Sequence, residues 1–277
     1  MKNIFCIDLE DWYHQNLHIT ANTSHEARIE KNTDRLLELF DDTNTKATFF
    51  CLGSMVEKYP AMIRKIKAAG HEIASHGYNH QLVYTQTPKE FREDVYKSIL
   101  LIEDACGTKV EGYRAPSWSI TRKSLWAIPI LEELGLTYDS SIFPIRTFLY
   151  GIPDAPRYPG RFQVAGASSR LFEIPPSTFS FLGRTMGFSG GFYFRAIPLY
   201  IIKNITSSMN IKGHETVFYL HPREIDPGYP KTKMCLRDKI IQDWNLSGCE
   251  KKLKRILRIF EFTSIHEYYH DEFHNEP

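Results

Sequence analysis

Glu72-Ile73-Ala74-Ser75-His76-Gly77-Tyr78-Asn79-His80 is a short apolar run that ends in a turn carrying two histidines. A strand that delivers two imidazoles at its end can present both nitrogens to one metal ion. Far upstream, the run Ile4-Phe5-Cys6-Ile7 ends in the acidic cluster Asp8-Leu9-Glu10-Asp11. Two neutral imidazoles and one carboxylate leave coordination positions open for water, which is the layout of a hydrolytic metal site. Taken singly these signals are weak, because histidine pairs also occur on solvated turns and acids follow strands as helix caps. The reading rests on their combination, since a hydrolytic site needs ligands, a base, an acid and an orienting group together.

The flanking sequence alternates strand and helix. Residues 27–40 carry Ile29, Leu36, Leu37 and Phe40 at helical spacing, and 47–52 form a second apolar strand. Residues 55–69 read as one helix closed by Gly70. Thr87-Pro88-Lys89-Glu90 opens a further helix, with Thr87 as its cap, that runs to Cys106 and stops at Gly107. A strand precedes Arg114, a helix runs from Thr121 to Leu134, and a strand follows over 136–138. Later come a helix over 198–209, a strand over 216–220 ending at His221, a helix over 250–261 and a closing strand over 262–265. The tail from Tyr268 reads as polar and frayed.

Such alternation predicts parallel strands joined by crossover helices. No G-x-G-x-x-G follows the first strand, and acids at its end would repel a pyrophosphate. A closed or partly closed β/α barrel therefore fits better than an open dinucleotide-binding sheet. Barrel chemistry sits at the C-terminal strand ends, where the acids, His76, Arg114, Asp139 and His221 all fall. The chain reads as one α/β domain over 1–277, with an insertion at 143–195 rich in Pro, Gly, Arg and aromatics. That segment predicts loops and hairpins, either a surface cover or a wall suited to sugar rings and phosphates.

The 277 residues are 42% apolar, enough for a substantial core. A net charge of +1 argues against a nucleic-acid partner. Five scattered cysteines without a C-x-x-C pair argue against a disulfide framework or a structural zinc cluster. No apolar run is long enough to cross a bilayer, and Met1-Lys2-Asn3 leads directly into the first strand, so the expectation is a cytoplasmic protein. Lys251-Lys252-Leu253-Lys254-Arg255 and Arg258 read as the solvated face of an amphipathic helix, with peripheral contact to a lipid surface as the alternative.

Five ordered motifs resemble the polysaccharide deacetylase family, carbohydrate esterase family four, with its NodB-homology-like domain. They are Asp8-Leu9-Glu10-Asp11, His76-Gly77-Tyr78-Asn79-His80, Arg114-Ala115-Pro116, Asp139-Ser140-Ser141 and Tyr219-Leu220-His221. The resemblance implies a distorted β/α barrel of about seven strands holding one divalent metal, zinc first, with cobalt, nickel or iron also compatible. It implies His76 and His80 as ligands and Asp8 as general base. Glu10 or Asp11 would be the acidic ligand, with Glu10 favoured. Arg114 would pair with Asp8, His221 would be the general acid, and Asp139 would orient His221. Trp118, Leu220 and Pro116 would line the pocket.

Two departures stand out: Gly77 replaces the family's usual Ser or Thr, and Ser117-Trp118 follows the third motif. The segments around Ser189–Arg195 and His221–Asp226 resemble a subgroup associated with bacterial exopolysaccharide and surface-glycan assembly. The implied reaction is N-deacetylation of an acetamido sugar, in a glycan or a lipid- or nucleotide-linked precursor, with release of acetate. Alternatives are hydrolysis of a cyclic amide on the same fold, or a glycan-binding or assembly protein without turnover.

Overall fold

The structure is a computed structural model that describes residues 1–14, 26–147, 150–164, 167–231 and 234–274. Parts of the 143–195 segment and the last three residues of the tail lie outside the described residues.

The first half is a regular β/α succession. It comprises β1 (Asn3–Leu9), α1 (Ile29–Asp41), β2 (Thr48–Cys51), α2 (Gly53–Lys58), α3 (Pro60–Ala68), β3 (Glu72–Ser75), α4 (Pro88–Cys106), β4 (Gly112–Tyr113), α5 (Ala127–Glu133) and β5 (Tyr138–Asp139). The second half begins with four strands: β6 (Gly160–Val164), β7 (Ala167–Glu173), β8 (Thr178–Phe181) and β9 (Arg184–Gly187). It continues with α6 (Gly191–Ala196), α7 (Leu199–Ile211), β10 (Val217–Leu220), α8 (Leu236–Asp243), α9 (Leu246–Ile259), β11 (Phe262–Thr263) and α10 (Ile265–His274).

The main sheet runs β10-β1-β2-β3-β4-β5-β7-β6, with β11 also paired to β1. All its pairings are parallel except β6 with β7. The sheet is the curled wall of a distorted β/α barrel. β7, from the segment read as an insertion, is a wall strand: it pairs with β5 through Tyr138–Phe172 and Asp139–Glu173. Past β10 the wall is continued by a parallel bridge between Gly190 and Tyr219. A Cβ at Gly190 would stand 2.3 Å from Tyr219 Cδ1, so this close approach requires glycine.

Side-chain parity along β1 separates two layers. Phe5, Ile7 and Leu9 face the helices and join Leu36, Phe40, Phe49 and Ile63 in the outer core. Ile4 and Cys6 face the barrel interior with Phe50, Ala74, Tyr138 and Tyr219. Phe5 makes edge contacts with Phe40 and Phe262, both at 5.5 Å between ring centres. Burying each such ring contributes about 1.5–3 kcal/mol, and it ties α1 and β11 to the first strand.

Helix boundaries differ from the sequence reading where proline decides. The helix expected over 55–69 is two helices, broken at Tyr59-Pro60, because Pro60 starts α3 at its first position. The helix expected from Thr121 begins only at Ala127. Pro129 then falls in the first turn, where no backbone N–H is needed, whereas a longer helix would bring its ring against residue 125. The Thr87 cap is present with its full capping box, and α4 ends at Gly107 in the left-handed conformation. The tail is a correction. Residues 265–274 form α10, whose Phe273 stacks on Tyr138 at 5.2 Å and is buried with Tyr269.

Within the basic run on α9, Lys252 Nζ donates to the carbonyls of Phe194, Arg195 and Ile197, closing the end of α6, and Lys254 pairs with Asp42. No helix among the described residues is long and apolar enough to cross a membrane.

Candidate active site

β1 places Asp8 on the interior face, and Glu10, two residues on, shares it. Both are buried. β3 ends one residue before His76, and the loop after it returns His80. One ligand atom each from Glu10, His76 and His80 lies within 4.8 Å of the others, and no other such cluster occurs among the described residues. His76 Nδ1 stands 2.7 Å from the Arg114 carbonyl oxygen. A carbonyl only accepts, so Nδ1 carries the proton and Nε2 keeps a lone pair for a cation. Burial lowers the His76 pKa to about 4, which favours this neutral form.

The fit to a metal can be tested on Glu10. Its Oε2 is buried and accepts no hydrogen bond, yet it lies 2.9 Å from His80 Nε2. Ligands of a tetrahedral cation held at about 2.0–2.1 Å stand roughly 3.3 Å apart, so the donor set and its spacing fit a divalent ion. His80 has φ +56, a left-handed conformation that a non-glycine residue adopts only when its surroundings impose it.

Asp11 is a correction. Its Oδ1 accepts from Trp12 N at 2.8 Å, and its Oδ2 accepts from Arg28 N and Ile29 N at 2.9 and 3.2 Å. Both oxygens are spent on backbone donors, those of Oδ2 at the start of α1. Strand alternation sends Asp11 to the opposite face from Asp8 and Glu10.

Arg114, wholly buried, donates from Nη1 to Asp8 Oδ1 at 2.7 Å, from Nη2 to Ser140 Oγ at 2.8 Å and from Nε to Ser140 O at 3.2 Å. Its guanidinium also lies 4.1 Å from the Phe50 ring centre. Asp8 is thereby held with Oδ2 directed toward His221 Nε2, 3.8 Å away. The same Nε2 lies 3.0 Å from Glu10 Oε1.

Asp139 does not orient His221. Its Oδ1 accepts from Ser141 Oγ, and the carboxyl faces Glu173, its register partner on β7. The group beside His221 is Glu224. Glu224 Oε2 lies 3.2 Å from His221 Nδ1 and accepts from His221 N at 3.0 Å. The local cause is a capping box: Pro222 starts a helical turn, and Glu224 at its third position reaches back to the preceding backbone N–H. The pattern His-Pro-x-Glu carried this signal in the sequence, and the reading missed it. Burial opposes a charge on His221, but the hydrogen bonds its ring donates to Glu10 and Glu224 outweigh it and raise its pKa to about 10.

Burial raises the pKa of Asp139 to about 6 and that of Glu173 well above the ordinary carboxyl range. Two buried carboxyls in contact hold a proton between them. Both bind it more tightly folded than unfolded, so their stabilisation is complete below about pH 4 and is lost as pH rises through about 6. The urea midpoint of the protein should therefore fall between about pH 4 and 6.5. Glu173→Gln should flatten that fall, because its amide donates to an ionised Asp139. Parallel curves for the two proteins would refute the shared proton.

Gly77 accounts for the departure in the second motif. It sits at φ +75, and a Cβ there would meet Asp94 Oδ2 at 2.8 Å. Asp94, from α4, accepts from Tyr78 N and Asn79 N at 2.7 and 3.3 Å, so it stiffens the loop that a hydroxyl would otherwise hold. Gly77→Ala should cost about 1–2 kcal/mol in backbone strain and weaken the uptake of an added divalent metal by Glu10, His76 and His80 on the order of 10-fold. Chelator competition would read the affinity, and an unchanged value would count against this account of the loop.

These groups floor a cavity of about 170 Å³ walled by Trp118, Tyr150, Phe192, Tyr193 and Tyr219, with Arg195 and Arg223 at one side. Leu220 and Pro116 are not among its lining residues. Leu220 faces the outer core beside Phe218, while Tyr219 faces inward. Ser117 and Trp118 reach the cavity in their place, both at positive φ.

Residues 16–138 match the family model described as polysaccharide deacetylase. That stretch of the chain is of the polysaccharide deacetylase type. Residues 140–270 match a model described as a domain of unknown function, DUF3473. The peptidoglycan deacetylase of Helicobacter pylori is 34% identical over 113 residues, which is 41% of this chain and 38% of that protein. This chain thus matches little more than a third of that relative's length. Among solved structures, Puue allantoinase superimposes with a TM-score of 0.61 at 17% identity, over 97% of this chain and 89% of that one. A family 4 carbohydrate esterase from Streptomyces lividans does so at 0.51 and 14%, over 95% and 91%. These two likenesses concern the fold. Asp8 and Glu10 precede the matched deacetylase segment, and His221 and Glu224 lie in the DUF3473 segment.

Proposed function

We propose that the protein is a metal-dependent N-deacetylase that removes the acetyl group from an acetamido sugar in a glycan or glycan precursor. The observation that carries this is the placement of Glu10, His76 and His80 beside the Arg114–Asp8 pair and His221, at the carboxyl ends of barrel strands. The name of the Helicobacter relative supports the substrate class.

Glu10 Oε2, His80 Nε2 and His76 Nε2 would hold the cation. Its Lewis acidity would make a water more acidic and polarise the acyl carbonyl. Asp8, kept in place by Arg114, takes a proton from the attacking water as its oxygen bonds to the acyl carbon. His221 Nε2 gives a proton to the departing nitrogen as the C–N bond breaks, so that acetate and a free amine leave. The aromatic walls suit the apolar face of a pyranose. Trp118 Nε1–H, buried without an acceptor, is a donor for a sugar oxygen.

The test is acetate release from N-acetylated sugar oligomers, with and without chelator, beside elemental analysis. One equivalent of metal and chelator-sensitive acetate release are expected. Acetate release that survives complete metal removal would overturn the mechanism.

A further inference from the structure

The DUF3473 segment supplies more than the wall of the cavity. Glu224 is fully buried, and each of its oxygens has a defined duty. Oε2 accepts from the backbone N–H of His221 and stands against its Nδ1. Oε1 accepts from Arg195 Nε at 2.8 Å. Arg195, on α6, is itself buried and anchored to the backbone at the α8–α9 junction. Its Nη2 donates to Ile241 O at 2.6 Å, and its Nη1 donates to Gln242 O and Trp244 O at 3.2 and 2.5 Å.

His221 therefore stands at the end of a chain of charge-assisted contacts that runs out to three backbone carbonyls. A carboxylate only accepts, so the His221 ring carries its Nδ1 proton toward Glu224 and keeps Nε2 directed at Asp8 and Glu10. The other candidate acid, Asp139, is occupied by Ser141 and Glu173.

We propose that Glu224, fixed by Arg195, is the positioning residue that holds the Nδ1 proton and sets the aim of His221 in amide cleavage. This rests on the deacetylase reading above. It assigns the C-terminal segment a part in the reaction: that segment supplies the acid, the carboxylate that orients it and the arginine that fixes the carboxylate.

Glu224→Gln keeps the shape and removes the charge. One of its two polar atoms must then be an amide nitrogen, which turns a donor toward either Arg195 Nε–H or the two His221 N–H groups. A mis-set tautomer in a histidine–carboxylate pair lowers turnover by a factor on the order of 10²–10⁴. The loss should depend on the leaving group. An N-acetylated chitooligosaccharide needs a proton on its departing nitrogen, whereas 4-nitrophenyl acetate releases a stable anion without one.

The experiment has two arms. Long-range ¹⁵N–¹H spectra of the wild-type protein, with His221 assigned through His221→Gln, should show a protonated Nδ1 with a low-field proton. An unprotonated Nδ1 overturns the proposal whatever the activity. On metal-loaded protein, Glu224→Gln should lose at least 100-fold on the oligosaccharide and less than about 3-fold on the ester. Equal losses on both substrates, or none on either, would show a merely structural role. A wild type with the expected Nδ1 proton that releases no acetate counts against the deacetylase reading, not against the positioning of His221.

Discussion

Asp8→Asn should abolish the proposed acetate release for practical purposes, by a factor on the order of 10²–10⁴, and should leave the metal content of the protein as it is in the wild type. The substitution changes one atom of a buried carboxylate whose Oδ1 meets Arg114 Nη1 at 2.7 Å. An asparagine oxygen can still accept from that guanidinium, so the site keeps its shape. It cannot take a proton from water at neutral pH, so the attacking oxygen loses its base. Glu10, His76 and His80 are untouched, and among the described residues they alone form a clustered ligand set. Elemental analysis and acetate release on the same preparation decide the matter. Retention of activity within a few-fold would remove Asp8 from the role of base, and loss of the metal would make it a ligand instead.

Arg114→Met has the largest expected effect on stability. The guanidinium is wholly buried, and its removal leaves Asp8 as an unpaired charge inside the barrel. Breaking a buried pair on one side costs about 3–5 kcal/mol, a large part of the 5–15 kcal/mol that holds a domain folded. The melting temperature should drop by roughly 10 °C. The double variant Asp8→Asn/Arg114→Met should recover part of that loss, because neither charge is then stranded, while remaining inactive. Calorimetry on the two single variants and the double one reads the coupling directly. A double variant no more stable than Arg114→Met would mean that the guanidinium acts through Ser140 and Phe50 rather than through Asp8.

The parts of the site that were legible in the sequence are those carried by strand ends. Asp8, His76, Arg114 and His221 each follow an apolar run, and the fold brings each to the same end of the barrel. Parity could have decided two further questions. Asp8 and Glu10 share a face with Ile4 and Cys6, which excludes Asp11, and His221 shares one with Tyr219, which excludes Leu220. The exchange of Asp139 for Glu224 was harder to see. Asp139 sits at the right strand end, but its carboxyl is captured by Glu173, a partner set by the register of β7, and no local pattern announces that pairing. The tail was misread because its apolar residues, Tyr269 and Phe273, are few and widely spaced, and their partner Tyr138 belongs to a distant strand.

β1 has an unusual set of neighbours. It is hydrogen-bonded to β2, which follows it closely, but also to β10 and β11 from the far end of the sequence. Its inward residues, including the pair Asp8 and Glu10, are enclosed only when those late strands arrive. During synthesis the first strand must therefore emerge from the ribosome long before its wall is complete, with one edge open and its acids in water. Closure of the barrel and the arrival of His221 beside Asp8 and Glu10 belong to late events, the last of them after Phe262 has left the exit tunnel. A stalled or shortened chain would display a β/α half-sheet that resembles the finished protein in its early strands and yet has no acid, no closed cavity and an edge ready to pair with other chains.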